Sequence, residues 1–332
     1  MGDVSLMGLP GPGMPWDEVL STLKLAEELG YSAVTTGEAW GADAFTTLAQ
    51  VAMVTSKVRL GTSIVPVFGR TPANMAMAAL SLDHMSKGRF FLGLGTSGKK
   101  VIEDLHGERF VKPVARMREY IDILRKAFGG DRLDHDGEFF QTSRFRLSIK
   151  PYRERLPIYL ATLGASSLRM TGELADGWLP IFYAPGRVGP LVEDLRKGAE
   201  DAGRTLADIK RSPQVSIFVT RERGAVYERE REHIALYIGG MGVYYHQYMH
   251  RIGFGSEADR VREAYNSFSD RAAAAALVTD EMVEAMTIIG TPQECQDQIG
   301  RYFASGADEV RLVFSAASPE DYIQGLRAVA PG

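Results

Sequence analysis

The sequence predicts an α/β protein built as a single (β/α)8 TIM barrel. Short apolar segments alternate with longer amphipathic segments along most of the 332 residues, and eight of the short segments have the composition of parallel strands. The links between them are short, and no stretch rich in proline or serine marks a hinge. Repeated strand–helix units without a hinge favour one closed barrel, and a doubly wound open sheet is the structural alternative.

The first half of the chain contains four predicted strand–helix units. The strands cover residues 4–9, 32–36, 58–67 and 89–94, and the helices that follow them cover residues 15–29, 45–55, 72–85 and 114–128. In the first helix, Val19 and Leu23 occur at helical spacing, with Pro15 at the beginning and Gly30 at the end. Residues 58–67 are mostly apolar and β-branched, which predicts a strand buried on both faces.

The second half continues this pattern around two insertions. Further strands are predicted at residues 158–161, 177–182, 215–220 and 309–314, with helices at residues 166–174, 188–202, 292–303 and 319–329. Residues 131–150 alternate in polarity and contain Asp136-Gly137, a strong hairpin signal. Residues 222–277 interrupt the alternation with a mostly helical pattern. We expect residues 1–332 to form one barrel domain with a hairpin insertion and, near the C-terminal third, a helical insertion.

The composition is typical of a soluble protein that does not bind nucleic acid. Hydrophobic residues make up 45% of the chain, the formal net charge is −4, and there is no long basic run. The only cysteine, Cys295, excludes an internal disulfide and fits a reducing compartment. Neither a signal peptide nor an apolar run of about 18 residues is recognisable. We therefore expect a cytoplasmic protein with a small-molecule partner and no membrane contact.

The histidine spacing does not predict a metal site. His246 and His250 share one face of a predicted helix and could both bind a metal ion. The sequence offers no evident third ligand, so a solvated helix face is the favoured interpretation. We expect no metal.

A glycine-rich loop follows the fourth predicted strand. Gly93, Gly95 and Gly98 spell G-x-G-x-x-G, but three strand–helix units precede them and no acid ends a second strand about 20 residues later. These glycines therefore indicate close backbone approach and not a dinucleotide-binding fold. Because Thr96 and Ser97 add hydroxyl groups beside them, we favour a phosphate or ligand contact over a plain tight turn.

Two other strand ends carry candidate site residues. Strand two ends near Glu38 and Trp40, where the acid and the indole are either site residues or a helix cap and a packing side chain. Strand five leads through Gly164 into a helix whose first residues, Ala165 and Ser166, are small. Exposed N–H groups at such a helix N-terminus are a second candidate phosphate site.

These segments together resemble the luciferase-like flavin superfamily, within it the branch dependent on coenzyme F420, and there the methylenetetrahydromethanopterin reductases. The resemblance covers nearly the whole chain and depends on the order and spacing of several segments. They are GEAWGADAF at 37–45, VRLGTSI at 58–64, SKGRFFLGLG at 86–95, KPVARMREY at 112–120, DGEFF at 136–140, PIYL at 157–160, VTDEMV at 278–283 and IGTP at 289–292.

The resemblance implies a barrel that binds a flavin or deazaflavin at the carboxyl ends of its strands. Ser63 and Ile64 would form a bulge with a non-prolyl cis peptide behind the ring, and Glu38 and Trp40 would face ring and substrate as catalytic residues. The residues that would hold the ribityl-phosphate portion are Gly95, Thr96, Ser97, Gly164, Ala165 and Ser166. The family also implies a homodimer.

Three departures narrow the implied chemistry. Sugar-phosphate dehydrogenases of this superfamily carry a histidine where Ala39 stands and a catalytic acid where Ser97-Gly98 stand, so a sugar phosphate is disfavoured. The acid that methanopterin reductases carry on strand one is missing around Met7-Gly8, which leaves the exact pterin reaction open. We expect an F420-dependent hydride transfer to an electrophilic carbon, with Glu38 as proton relay or charge stabiliser. An FMN-dependent two-component monooxygenase and a non-catalytic barrel are the alternatives.

Overall fold

The structure is a computed structural model and describes residues 2–10, 13–267 and 271–331. Residues 11–12, between the first predicted strand and the first predicted helix, therefore lie outside the described residues. So do residues 268–270 of the predicted insertion at 222–277.

The strands lie close to where the sequence predicts them. They are β1 (Asp3–Met7), β2 (Ala33–Thr36), β3 (Arg59–Thr62), β4 (Val65–Pro66), β5 (Phe90–Gly95), β6 (His135–Asp136), β7 (Gln141–Thr142), β8 (Ile158–Leu160), β9 (Gly177–Trp178), β10 (Lys210–Arg211), β11 (Gln214–Val219), β12 (Thr287–Gly290) and β13 (Glu309–Phe314). Within the described residues, only β6 and β7 pair antiparallel, as the hairpin that Asp136-Gly137 predicts.

Helices separate most of these strands. They are α1 (Trp16–Glu28), α2 (Ala44–Val54), α3 (Pro72–Met85), α4 (Pro113–Gly129), α5 (Ala165–Leu174), α6 (Gly189–Asp201), α7 (Gly224–Ala235), α8 (Val243–Arg251), α9 (Gly255–Ser267), α10 (Arg271–Ala276), α11 (Asp280–Met286), α12 (Pro292–Ala304) and α13 (Pro319–Ala328). Two π-helical turns, Val101–Leu105 and Leu236–Gly240, and a 3₁₀ turn, Leu206–Asp208, complete them. No helix of the described chain combines the length and apolarity needed to cross a bilayer.

The parallel sheet closes on itself. Its strand order is β10-β9-β8-β5-β3-β2-β1-β13-β11-β12. β10 and β11 are consecutive pieces of one chain segment, and the N–H of Gln214 donates to the carbonyl of Pro180 at 2.8 Å beyond β9. On the other side, the N–H of Arg311 donates to the carbonyl of Pro213 at 2.8 Å. The barrel prediction is confirmed, and the open-sheet alternative is wrong.

One predicted strand is divided in the structure, and one further strand was not predicted. The strand predicted at 58–67 is divided into β3 and β4, because the Ser63–Ile64 peptide bond is cis and bends the backbone between them. β12 was not predicted, since its four residues follow α11 directly and offer no alternation to recognise. It extends the sheet beside β11, with Ser216 opposite Thr287.

Glycines set how closely the barrel strands and rings pack. A Cβ at Gly61 would lie 2.1 Å from the Phe91 ring, and a Cβ at Gly177 would lie 2.6 Å from the Tyr159 ring. The Phe91 and Tyr159 rings stack at a centroid distance of 4.6 Å in the barrel interior. Gly61 thus makes room for a ring inside the lumen.

Replacing Gly93 tests the tightest of these approaches. An added Cβ would lie 1.9 Å from the carbonyl oxygen of Thr62, so β3 and β5 would have to separate in Gly93→Ala. We expect a loss of about 1–3 kcal/mol in the free energy of unfolding, measured by urea denaturation. Gly300→Ala in α12 is the matched control, since nothing lies within 4 Å of its added Cβ. That variant should gain about 0.5–1 kcal/mol, and equal stabilities for the two variants would contradict the packing argument.

Candidate functional site

The carboxyl ends of four neighbouring strands bring most of the predicted site residues to one rim. β2, β3, β5 and β8 are adjacent in the sheet, so Glu38, Ser63, Thr96 and Gly164 follow one another around the barrel mouth. This is the end of a (β/α)8 barrel where active sites form.

The Ser63–Ile64 peptide is held by close backbone contacts. A Cβ at Gly37 would lie 2.6 Å from the carbonyl oxygen of Ser63, and the N–H of Glu38 donates to the carbonyl of Ile64 at 2.9 Å. A Cβ at Gly95 would lie 2.7 Å from Cδ1 of Ile64. The two glycines therefore leave space for this peptide and for the Ile64 side chain. The cis geometry predicted at this bond is confirmed.

Glu38 is engaged by an arginine that the sequence analysis missed. Arg70 donates to both carboxylate oxygens of Glu38, at 2.5 and 2.9 Å, and the N–H of Ala44 donates to Oε1 at 3.0 Å. Arg70 also binds Asp43, the residue that caps α2. The hydrogen bond that Arg70 donates to Glu38 is the main cause that raises the pKa of Arg70. A carboxylate with both oxygens occupied is suited to positioning and charge stabilisation more than to proton relay.

Trp40 projects into solvent beside this ion pair. Trp40 exposes 71% of its surface, and only Ala39 separates it from Glu38 in the chain. An indole that packs within the protein would be mostly covered. The exposure therefore disfavours the packing interpretation and leaves the indole free to contact a ligand.

Unpaired amide groups line the next two strand ends. Ser97 has φ 58°, and Thr96 Oγ1 donates to its carbonyl at 3.3 Å. Within the described residues, the N–H groups of Thr96 and Ser97 have no acceptor in the protein. Those of Ala165 and Ser166 lie in the first turn of α5, which has no side-chain cap. This set of donors fits an anionic group such as a phosphate.

Charged side chains fill part of the barrel lumen. Glu309 is fully buried and lies 3.0 Å from Arg59 and 3.6 Å from Lys210. Burial alone would raise the pKa of Glu309, but the charges of Arg59 and Lys210 outweigh it and lower that pKa. Arg311, 1% exposed, reaches across the lumen and donates to Ser63 Oγ. Sequence reasoning missed all four residues, because charges in strand segments read as surface positions.

A cavity of about 680 Å³ opens above strands β11 and β13. Its floor includes Ser216 and Val313, which are partners in the sheet register, and Val313 lies two residues beyond Arg311 on the same face of β13. His233 of α7 lines this cavity, and its Nδ1 lies 3.4 Å from the buried carboxylate of Glu230. The helical insertion thus covers one side of the barrel mouth.

The histidines on α8 contact an acid of a neighbouring helix, and His250 and this acid, Asp259, are exposed as a solvated helix face predicts. Asp259 of α9 lies 2.7 Å from Nε2 of His246 and 2.8 Å from Nε2 of His250. The third polar group that the sequence did not reveal is therefore present. Arg262 donates to Nδ1 of His246 at 3.1 Å, so Nε2 of that ring carries its proton toward Asp259.

The rim fits a ring-and-phosphate cofactor. The partly exposed Ile64 side chain lies against Gly95, two residues before the amide donor of Ser97, so an apolar area is adjacent to an anion site.

Comparison with known proteins identifies the family. Residues 2–309 match the family described as luciferase-like monooxygenase. Over 315 residues, the chain is 36% identical to a protein of Mycobacterium tuberculosis named "putative coenzyme F420-dependent oxidoreductase", with 89% of each chain covered. It is 28% identical to the 5,10-methylenetetrahydromethanopterin reductase of Archaeoglobus fulgidus, with 90% of each covered. The chain therefore belongs to the luciferase-like monooxygenase family and is an enzyme.

A solved structure agrees with this assignment at the level of the fold. The coenzyme F420-dependent tetrahydromethanopterin reductase of Methanopyrus kandleri superposes with a TM-score of 0.83 at 23% identity, and the match covers 99% of this chain and 97% of that one.

The lumen charges predict how stability depends on pH. The pKa of Glu309 is lower in the folded protein than in the unfolded chain, where it is about 4.3. Its stabilising contribution is therefore complete above that value and is lost as the pH falls toward the folded pKa. Urea denaturation between pH 3 and 7 should show a shallower pH dependence for Glu309→Gln than for the wild type. Parallel curves for the two proteins would contradict the buried ion pair.

Proposed function

We propose that this enzyme is an F420-dependent oxidoreductase that transfers a hydride between the deazaflavin C5 and an electrophilic carbon of a small organic substrate. When bound, the cofactor supplies the hydride chemistry, and the protein supplies position and electrostatics. The observation that carries the proposal is the set of free amide donors at Ser97 and Ala165 beside the Ser63–Ile64 peptide. The names of the two sequence relatives support the choice of F420.

Each predicted site residue has a proposed role. Thr96, Ser97 and the first turn of α5, which begins after Gly164 and includes Ser166, would bind the phosphate through N–H and hydroxyl groups. Ile64 would support the ring, with Gly95 providing space for its side chain. Glu38, fixed by Arg70, would hold a negative charge near the substrate, and Trp40 would cover one side of it. These roles remain proposals.

The cavity of about 680 Å³ is the proposed substrate site. It is continuous with the barrel interior through Ser216 and Val313, and its opposite wall carries His233, whose ring packs 5.0 Å from that of Tyr237. Because the buried Glu230 orients Nδ1, the other nitrogen of His233 is available to exchange a proton with a substrate oxygen or nitrogen.

An FMN-dependent two-component monooxygenase is the second candidate. The rim would accommodate the FMN phosphate with the same amide donors, and the family description includes monooxygenases. The two candidates differ in the cofactor that the enzyme prefers and in the consumption of oxygen.

The assembly is proposed to be a cytoplasmic homodimer of single-domain chains. Met53 on α2 and Met77 and Met85 on α3 expose 72%, 44% and 44% of their surfaces. Exposed methionines on neighbouring helices are suited to a protein contact. Sedimentation analysis distinguishes a dimer from a monomer.

Cofactor preference and the phosphate site can be tested together. We expect oxidised F420 to bind with micromolar affinity and FMN more weakly, measured by fluorescence titration. Ala165→Asp should weaken F420 binding at least tenfold through charge repulsion, although an acid at a helix N-terminus stabilises the helix. Ala165→Asn is the uncharged control and should bind nearly as the wild type does. Preferential binding of FMN would support the monooxygenase, and binding of neither would support a non-catalytic barrel.

The role of Glu38 can be separated from cofactor binding. Substrates are first found by a screen that follows the absorbance of F420. With such a substrate, Glu38→Gln should lower kcat at least tenfold and change the Kd for F420 less than threefold, because the charge is lost while the shape is kept. Asp43→Asn removes the other carboxylate on Arg70 and is the matched control. Unchanged turnover in Glu38→Gln, or an equal loss in Asp43→Asn, would contradict a specific role for Glu38.

A further inference from the structure

We propose that Arg311 is a positioning residue for the cofactor ring: it orients the Ser63 hydroxyl toward the rim and places a positive charge beneath the ring site. The consequence is that the enzyme binds the reduced cofactor in preference to the oxidised one. This inference rests on the proposed function.

Arg311 lies inside the barrel and not on its surface. Its Cα pairs with Gln214 in the parallel register between β11 and β13, and its side chain is 1% exposed. From strand β13 the guanidinium reaches Ser63, which follows β3. It therefore crosses the lumen and ends at the hydroxyl of Ser63, the first residue of the Ser63–Ile64 peptide.

The hydrogen bonds of Arg311 use only neutral acceptors. Nε donates to the carbonyl and the hydroxyl of Ser212 at 3.0 and 3.1 Å, Nη2 donates to the same carbonyl at 2.9 Å, and Nη1 donates to Ser63 Oγ. In the described part of the chain, no carboxylate forms an ion pair with this guanidinium. A buried charge without a paired carboxylate is costly, which indicates a use for it.

The lumen cluster has one more cation than carboxylates, and Glu309 attracts Arg311 only at a distance, without an ion pair. Arg59 and Lys210 lie against Glu309 and Asp3, so these two cations and two carboxylates balance. Arg311 is the third cation, at the end of the cluster next to Ser63. Burial lowers the pKa of Arg311 to about 10, so the side chain stays cationic at neutral pH.

The hydrogen bond from Arg311 determines in which direction the Ser63 hydroxyl can donate. Because Ser63 Oγ accepts from Nη1, the hydroxyl hydrogen must point elsewhere. Within the described residues, that hydroxyl donates to no protein group. Ser63 is partly exposed at the rim, so the hydroxyl is directed as a donor toward a bound ligand.

The charge favours the more negative form of the cofactor. Addition of a hydride to the ring adds one negative charge, and a fixed cation in a low-dielectric lumen stabilises it. The same cation stabilises an oxidised ring less, because that ring lacks the negative charge that the hydride adds. Arg311 would therefore shift the equilibrium of the bound cofactor toward reduction.

The test compares the Kd values for oxidised and reduced F420 by anaerobic fluorescence and absorbance titration. In Arg311→Met, the ratio of the two Kd values should change at least tenfold against the reduced form. Tenfold corresponds to about 30 mV for a two-electron couple. Arg311→Lys keeps the charge and should recover part of the preference. Ser63→Ala keeps the charge but loses the donor, and should weaken both forms severalfold without changing their ratio.

Lys210→Met is the matched control. It removes a lumen cation at the far end of the cluster, where Lys210 binds Asp3 at 2.6 Å, and should leave the ratio unchanged. An unchanged ratio in a folded Arg311→Met, or an equal change in Lys210→Met, overturns the proposal. If Arg311→Met does not fold, Arg311→Gln, which removes the charge but keeps a polar side chain, takes its place, and an unchanged ratio in that variant overturns the proposal.

Failure of the proposed function has a different signature. If the wild type binds FMN and not F420, the F420 assignment is wrong, and the same ratio with oxidised and reduced FMN decides the role of Arg311. If the wild type binds neither cofactor, both proposals are overturned.

Discussion

Charged side chains inside the barrel constrain the strands that carry them. Glu309 on β13 contacts Arg59, which lies on β3, and Lys210, which lies on β10. An isolated carboxylate in that position would be strongly destabilising, so these strands must keep their register to satisfy it. Arg311 extends the same cluster to Ser63. The lumen therefore connects the closure of the barrel to the geometry of its rim.

Close backbone contacts at glycines also constrain the strand ends that form the rim. Gly37 and Gly95 admit the Ser63–Ile64 peptide and the Ile64 side chain, and Gly93 lets β5 approach the carbonyl of Thr62. A methyl group at Gly93 would push β3 and β5 apart, one at Gly37 would meet the Ser63–Ile64 backbone, and one at Gly95 would displace the Ile64 side chain. The site is thus placed on rigid strand ends, which suits a protein that has to position a reactive ring against a substrate.

The helical insertion between β11 and β12 adds side chains above the barrel mouth. Its helix α7 brings His233 and the buried Glu230 over the ends of β11 and β13, whereas Glu38 follows β2 and Arg70 follows β4. The barrel ends would hold the cofactor, while the insertion supplies the wall against which a substrate lies. Under the proposed function, substrate preference would be decided by the insertion and by Trp40, and cofactor preference by the strand ends.

The sequence by itself determined the barrel and the position of its rim. Apolar strand segments, helical periodicity and Asp136-Gly137 depend on neighbouring residues, so they can be recognised locally, and the resemblance located the Ser63–Ile64 bond. Only the tertiary structure decided the partners: Arg70 for Glu38, Arg311 for Ser63 and Asp259 for the two histidines. Each of these contacts except the last joins segments more than 30 residues apart, and even Asp259 lies on a different helix. Which charged side chains meet depends on strand register and helix packing, and no local pattern encodes that.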